Sequence, residues 1–283
     1  MASTSALACP ASLKGVLSAR AAADALASGF EQVGVACDVL PVADGGEGTA
    51  DVLPHVVEAA SVIPFDPAHL NPFTSSRPFG ELLARLEAAS ILVGLGGTAN
   101  MDAGAGLLEV LDALPAPTTV LCDVRTTLYD APRLYGPQKG ATPEQVAGLE
   151  ASFRADERLA PFAHLPGSGA AGGLGAALAS LGARLVPGAA TVLDLLGFDP
   201  GRYALVVTGE GRVDATTSEG KAPAEVARRC IAAGVQCAVF GGVVERPLPG
   251  TKSVALSGNP ARASEDLVAL GRRLGARLLD AAG

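Results

Sequence analysis

The sequence predicts an α/β fold in which helices cover a mostly parallel β-sheet, and three observations carry that expectation. Short β-rich runs alternate along the chain with alanine-rich helical stretches, the pattern of strands joined by helical crossovers. Glycine-rich loops recur where strand runs end, the places at which open α/β sheets bind ligands. The hydrophobic fraction is 49% while aromatics are only 4% and Trp is absent, so the core is aliphatic and finely packed, and disorder is excluded. With 283 residues the chain is long enough for two such domains, because single cores stop growing near ~250–300 residues.

In chain order, strands are expected at residues 6–9, 33–42, 91–94, 120–124, 203–208, 235–240 and 253–256. Helices are expected to begin near Ser18, Glu47, Phe79, Ala99, Thr142, Ala170, Pro187, Ala222 and Ala261. Three of these carry start signals. Ser18 caps the run 19–28, Thr142 precedes Pro143 at the first helical position with Gln145 at the third, and Pro223 sits early in its helix. Residues 63–78 hold four prolines without clear periodicity and read as a loop or a crossing between domains; 129–137 read as a second irregular segment.

A formal charge of −8 argues against nucleic acid, which needs a basic face. No apolar run approaches the ~18–20 residues of a membrane span, and the first residues lack a basic start and long apolar stretch, so a cytoplasmic protein is expected. The five cysteines are scattered without a CxxC pair and read as reduced, mostly buried thiols. None of the three histidines lies in a constrained segment, which argues against His-based chemistry. Of 21 basic residues only four are Lys, and Lys14, Lys139 and Lys221 each adjoin a glycine. A lysine kept beside flexible backbone marks a place where a compact ammonium fits and a planar guanidinium does not.

Five loops have the composition to hold a small anion. PVADGGEGT, 41–49, places Asp44 and Glu47 around Gly45 and Gly46, where carboxylates hold Mg2+ or accept a hydroxyl proton, or where Asp44 is a turn residue and Glu47 a first-turn helix acid. GLGGTANMDAGAG, 94–106, lets phosphate oxygens reach backbone N–H groups; it lacks the spacing and terminal Lys of a P-loop, which excludes that class. GPQKGAT, 136–142, holds Gln138 and Lys139 between glycines, within reach of a ligand or simply at the surface. PGSGAAGGLGAAL, 166–178, contains GxGxxG, but no strand precedes it, so close helix packing competes with phosphate binding and a dinucleotide fingerprint is not expected. VVTGEGRVDATTSEGKAP, 206–223, brings Glu210, Arg212, Asp214 and Lys221 together after a buried strand, as a ligand site or a self-satisfied salt-bridge loop.

These segments, in this order, resemble the type I glycerate kinases. CPASLKGVLSA at 9–19 is similar to that family's APDSFKGSLSA, PVADGGEGT and GPQKGAT are unchanged, GLGGTANMDAG resembles GIGGSATNDGG, and GSGAAGGLGAAL and TGEGRVDATT follow GAGAAGGLGAAL and TGEGRIDSQT. The resemblance implies a Rossmann-like parallel-sheet domain made from both chain ends, 1–56 and 188–283, with an inserted, reduced α/β middle domain at 57–187 and a cleft between them. It implies transfer of the γ-phosphate of ATP to D-glycerate with Mg2+. Lys14, Asp44 and Asp214 then become the catalytic candidates: Lys14 and Lys139 neutralise anionic oxygens, and Asp44 or Asp214 orients the acceptor hydroxyl or holds Mg2+. Ser12, Gly45, Gly46, Glu47, Gly96, Gly97, Thr98, Asp102, Gln138, Lys139, Glu210 and Arg212 become the substrate- and phosphate-binding candidates.

The sequence departs from the family at Ala11, where the family has Asp, at Met101, where it has Asn, and at Thr216, where it has Gln. Roughly a quarter of the family's length is expected to be missing, enough for several strands of ~5–6 residues. The missing parts are placed near Val57–Ala59 and between Leu111 and Thr118. These departures frame a second expectation, a catalytically impaired relative that binds an anionic metabolite or nucleotide in a regulatory role.

Overall fold

The structure, a computed structural model, describes residues 5–215, 217 and 220–282. Thr216 lies outside the described residues. The chain forms two compact units, Met1–Ala43 with Val192–Gly283, and Asp44–Thr191. Each has its own parallel sheet.

Unit 1 carries β1 (Ala6–Ala8), α1 (Ala19–Glu31), β2 (Cys37–Val39), β7 (Leu205–Val213), α8 (Ala222–Ala232), β8 (Gln236–Val244), β9 (Lys252–Ala255) and α9 (Ala263–Ala282). Its strand order is β2-β1-β7-β8-β9, every pairing parallel. The order reverses between β1 and β7, which makes the C-terminal ends of those two strands a topological switch point. One core packs Leu26 and Phe30 of α1 and Leu267, Leu270 and Leu274 of α9 onto Ala6, Ala8, Val207 and Phe240 of the strands. Each fully buried Leu or Phe contributes about 1.5–3 kcal/mol.

Unit 2 carries β3 (Val56–Glu58), α2 (Arg77–Ala84), β4 (Ile91–Gly94), α3 (Ala105–Leu108), β5 (Thr118–Cys122), α4 (Ala131–Tyr135), α5 (Pro143–Ala155), α6 (Ala170–Ser180) and β6 (Arg184–Pro187), and α7 (Gly188–Leu195) begins within it. Strands run β3-β4-β5-β6, all parallel. Phe79, Leu83, Val93, Leu107, Val120 and Leu174 fill one core, and Met101, Leu128, Phe153 and Leu159 a second. No helix of the described residues is long and apolar enough to cross a membrane.

The start signals at Ser18 and Thr142 act as expected. Ser18 accepts from Ala21 N–H at the start of α1, and Thr142 with Gln145 forms a complete capping box on α5. Elsewhere the structure corrects the sequence. No helix begins at Glu47, because side-chain and backbone bonds from Asp44 and Thr49 satisfy that segment as turns. The helix expected at Ala99 is delayed to Ala105 by left-handed Ala103 and Gly104. The strand expected over 33–42 is cut to Cys37–Val39, since Val33, Gly34 and Val35 bond back to the end of α1. β7 runs five residues past the expected 208, so half of the fifth loop is strand. Short β3, β6 and α4 escaped the sequence pattern.

Candidate functional site

In unit 2 the first glycine-rich loop is tied by its own groups. Gly46 N–H donates to Asp44 Oδ1 at 3.1 Å, Gly45 N–H to Thr49 Oγ1 at 3.2 Å, and the Thr49 hydroxyl to Gly46 O at 2.6 Å. From the second loop, Gly96 N–H donates to Gly45 O at 3.1 Å, joining the two loops beyond the C-terminal end of β4. Only glycine allows this approach at 96: a Cβ there would lie 2.4 Å from Gly46 Cα and 2.7 Å from Asp123 Oδ2. A Cβ on Gly46 would lie 2.9 Å from Asp44 Oδ1 and 3.9 Å from Asp123 Oδ2, so two carboxylates border Gly46. Asp123 directly follows β5 and is half-buried.

Asp102 holds the second loop in shape. Its Oδ2 accepts from Ser76 N–H and hydroxyl, both at 2.7 Å, and from Gly106 N–H at 3.2 Å; its Oδ1 accepts from Asn100 Nδ2 at 3.1 Å and Gly104 N–H at 3.0 Å. Asn100 is fully buried and also donates Nδ2 to Ala171 O at 2.8 Å. Asn100 Oδ1 and Thr98 Oγ1 are buried without a hydrogen-bond partner.

The third loop delivers Lys139 from a short 3-10 turn, residues 137–139. Its side chain is buried, 6% exposed, and Nζ donates to Asn100 O at 2.8 Å. Burial lowers its pKa from 10.5 to about 8, while the negative charges of Asp123 and Asp102 act in the opposite direction. A buried ammonium favours a negatively charged ligand.

In unit 1 the segment after β1 continues along β7, with Cys9 N–H donating to Val207 O at 2.7 Å and Ala11 N–H to Gly209 O at 2.9 Å. A turn closed by Leu13 N–H to Leu17 O, 2.9 Å, carries exposed Lys14, and half-buried Ser12 precedes it. β7 pairs with β1 only as far as Ala8↔Val207, but with β8 to Val213↔Val244. The two strands thus leave the sheet as a ribbon bearing Glu210 and Arg212. The fully buried Thr217 stitches the ribbon's end: its hydroxyl donates to Glu210 Oε1 at 2.7 Å, and Asp214 N–H donates to Thr217 Oγ1 at 3.1 Å. Lys221 Nζ stands 3.8 Å from Glu210 Oε2. Arg212 pairs with exposed Glu245.

A family model described as the glycerate kinase family matches residues 6–66 and 115–258. The chain belongs to the glycerate kinase family. It is 30% identical to glycerate 2-kinase of Escherichia coli (strain K12) over 309 positions, covering 77% of this chain and 80% of that protein. It is 31% identical to a glycerate kinase of Bacillus subtilis (strain 168) over 306 positions, covering 77% and 80%. Among solved structures, putative glycerate kinase 2 from Salmonella typhimurium LT2 superposes with a TM-score of 0.79 at 27% identity, covering 98% of this chain and 99% of that one. Membership in a kinase family makes the chain an enzyme, a glycerate kinase by family, and implies a nucleotide substrate. An alignment of 309 positions that uses 77% of a 283-residue chain contains long gaps on this chain's side. The family model leaves residues 67–114 unmatched, and the second loop lies in that stretch.

Within this glycerate kinase, the expected residues of unit 2 divide by what they touch. Gly45, Gly46, Gly96, Asp44 and Lys139 surround one region at the sheet's edge, together with Asp123. Thr98 is buried beneath it, Gly97 packs on Glu47, and Glu47 and Gln138 are exposed. Asp102 is spent on five donors, three from its own loop and two from Ser76. Met101, which stands where the family has Asn, sits in a hydrophobic core, fully buried. The fourth loop packs rather than binds: a Cβ on Gly172 would lie 2.1 Å from Asn100 O, and Asn100 itself bonds Ala171. Sequence reading missed Asp123, Asn100 and Thr217. Only Asp123 carried a signal, as an acid at a strand's end. The described cysteines are all free, and burial pushes the Cys122 thiol up to about 12, which leaves it inert.

Proposed function

We propose that this glycerate kinase transfers the γ-phosphate of ATP to D-glycerate, giving a phosphoglycerate and ADP. The observation that carries this reading is the buried Lys139 ammonium, lodged on Asn100 O within the charge field of Asp102 and Asp123. Phosphoryl transfer depends on positioning and charge stabilisation more than on covalent chemistry. In this reading Lys139 and Lys14 neutralise phosphate or carboxylate oxygens. Asp102 acts through the loop it braces.

Mg2+ that travels with a nucleotide takes one or two carboxylates and completes its shell with phosphate oxygens and water. Asp44 or Asp214 is the residue we assign to it. The ion supplies charge neutralisation at the transferred phosphate.

A second reading, a relative that binds an anion without turnover, is favoured by Ala11, which stands beside β7 where the family's Asp would place a carboxylate. One experiment separates the two. ADP release from ATP and Mg2+ is measured with and without D-glycerate across a panel of small hydroxy acids, alongside thermal melts. Glycerate-dependent ADP supports the kinase. Stabilisation by ATP or glycerate with no acid-dependent ADP at high enzyme supports the binder and ends the kinase reading.

A further inference from the structure

We propose that Asp123 is a catalytic residue of the transfer, the carboxylate that accepts the hydrogen bond of the acceptor hydroxyl, aims its oxygen and takes its proton. The inference rests on the kinase reading above and adds to it a residue outside the resemblance-based set.

Four observations of unit 2 converge on this carboxylate. Asp123 follows β5, an interior strand between β4 and β6, at the C-terminal edge where parallel sheets bind ligands. The two glycine loops are shaped around it, since a methyl group on Gly96 would come within 2.7 Å of Oδ2. Its charge acts on the buried Lys139 ammonium, opposing the effect of burial there. Asp102 accepts from Ser76, Asn100, Gly104 and Gly106, and Asp44 Oδ1 accepts from Gly46 N–H at the turn. Asp123 and Lys139 therefore stand as one device, a carboxylate for the hydroxyl and an ammonium for the phosphate or carboxylate oxygens beside it.

The step balances without a further reactant. The acceptor O–H bond breaks and its proton passes to Asp123 and on to water. The acceptor oxygen forms a bond to the γ-phosphorus while the bond from that phosphorus to the β,γ-bridging oxygen breaks, and its electron pair leaves with ADP.

The test compares the full-length wild type with Asp123→Asn and Asp123→Glu in glycerate-dependent ADP release, ATP titrations and thermal melts. Asn keeps the size and one acceptor oxygen but takes no proton. The expected result is a fall in kcat of about 100-fold or more for Asp123→Asn, with the KM for ATP within about threefold and the melting midpoint preserved, and a partial recovery in Asp123→Glu. Turnover of Asp123→Asn within about fivefold of an active wild type overturns the inference alone. So does a loss that comes with an equal rise in the KM for ATP and a lowered midpoint, the signature of a structural role. A wild type without glycerate-dependent turnover overturns both the inference and the reading beneath it.

Discussion

The Lys139 ammonium titrates close to physiological pH, and two opposite consequences follow from its single lowered pKa. Its proton leaves as pH rises through about 8, so anion binding, and with it kcat/KM, is expected to decline on that limb. Stability moves the other way. In the window from about 8 to 10.5 the unfolded chain still holds the proton that the folded chain has lost, so stability contributed by this group rises with pH. Lys139→Met is expected to remove the alkaline limb and to lower kcat/KM by roughly 10- to 100-fold, the worth of one charged hydrogen bond. Its thermal midpoint at neutral pH is expected to equal or exceed the wild type's, because no charge remains to be buried. A pH series of rates and melts on both proteins checks this, and a retained alkaline limb in the variant would assign it elsewhere. Lys139 was legible in the sequence because a rare lysine stood between glycines. Asn100 and Thr217 were not, since neither residue type nor spacing tells which way a loop side chain turns. Met101 teaches the same point from the other side: it lies within a glycine-rich loop of the sequence, and the fold buries it in one core with Phe153 and Leu159.

At the scale of elements, legibility followed whether local chemistry and tertiary packing agreed. The α5 start was plain because Thr142, Pro143 and Gln145 satisfy the helix end within four residues, and both halves of the capping box form. Thr142→Ala is expected to cost about 1 kcal/mol, read as a lowered denaturation midpoint with unchanged slope and unchanged kcat. A change in kcat would mean that the third loop depends on the cap that follows it. Where local chemistry pointed to helix but side chains offered the backbone other partners, the sequence misled. Asp44 and Thr49 convert the expected helix at Glu47 into turns, and Asp102 holds the residues before α3 out of the helix. The overlong β7 was hidden for a different reason. Gly209 and Gly211 look like loop residues, yet β8 pairs with β7 across them as far as Val213↔Val244. That ribbon carries Glu210 and Arg212 beyond the sheet, a placement that strand propensity does not reveal.

At the scale of the whole molecule, the parallel α/β architecture was readable from the alternation of strand and helix, whereas the strand orders were not, because pairing partners are set by crossings far apart in sequence. The order β3-β4-β5-β6 is completed within Asp44–Thr191, while β2-β1-β7-β8-β9 needs both chain ends. This asymmetry makes a physical prediction. Residues 44–191 are continuous, contain a closed set of four parallel strands, and bury Phe79, Leu83, Leu107, Leu128, Phe153 and Leu159 completely. A segment of this size buries roughly 68–70% of the surface its unfolded chain exposes, enough for independent stability. Expressed alone, 44–191 is therefore expected to unfold in one cooperative transition by far-UV circular dichroism and urea. Residues 1–43 expressed alone hold only β1, α1 and β2, with the faces that meet β7 and α9 uncovered, and are expected to show none. A non-cooperative melt of 44–191 would mean that its two cores draw their stability from the rest of the chain. In that case Lys139 and Asp123, both carried by this unit, would owe their burial and spacing to the intact molecule rather than to the sheet that bears them.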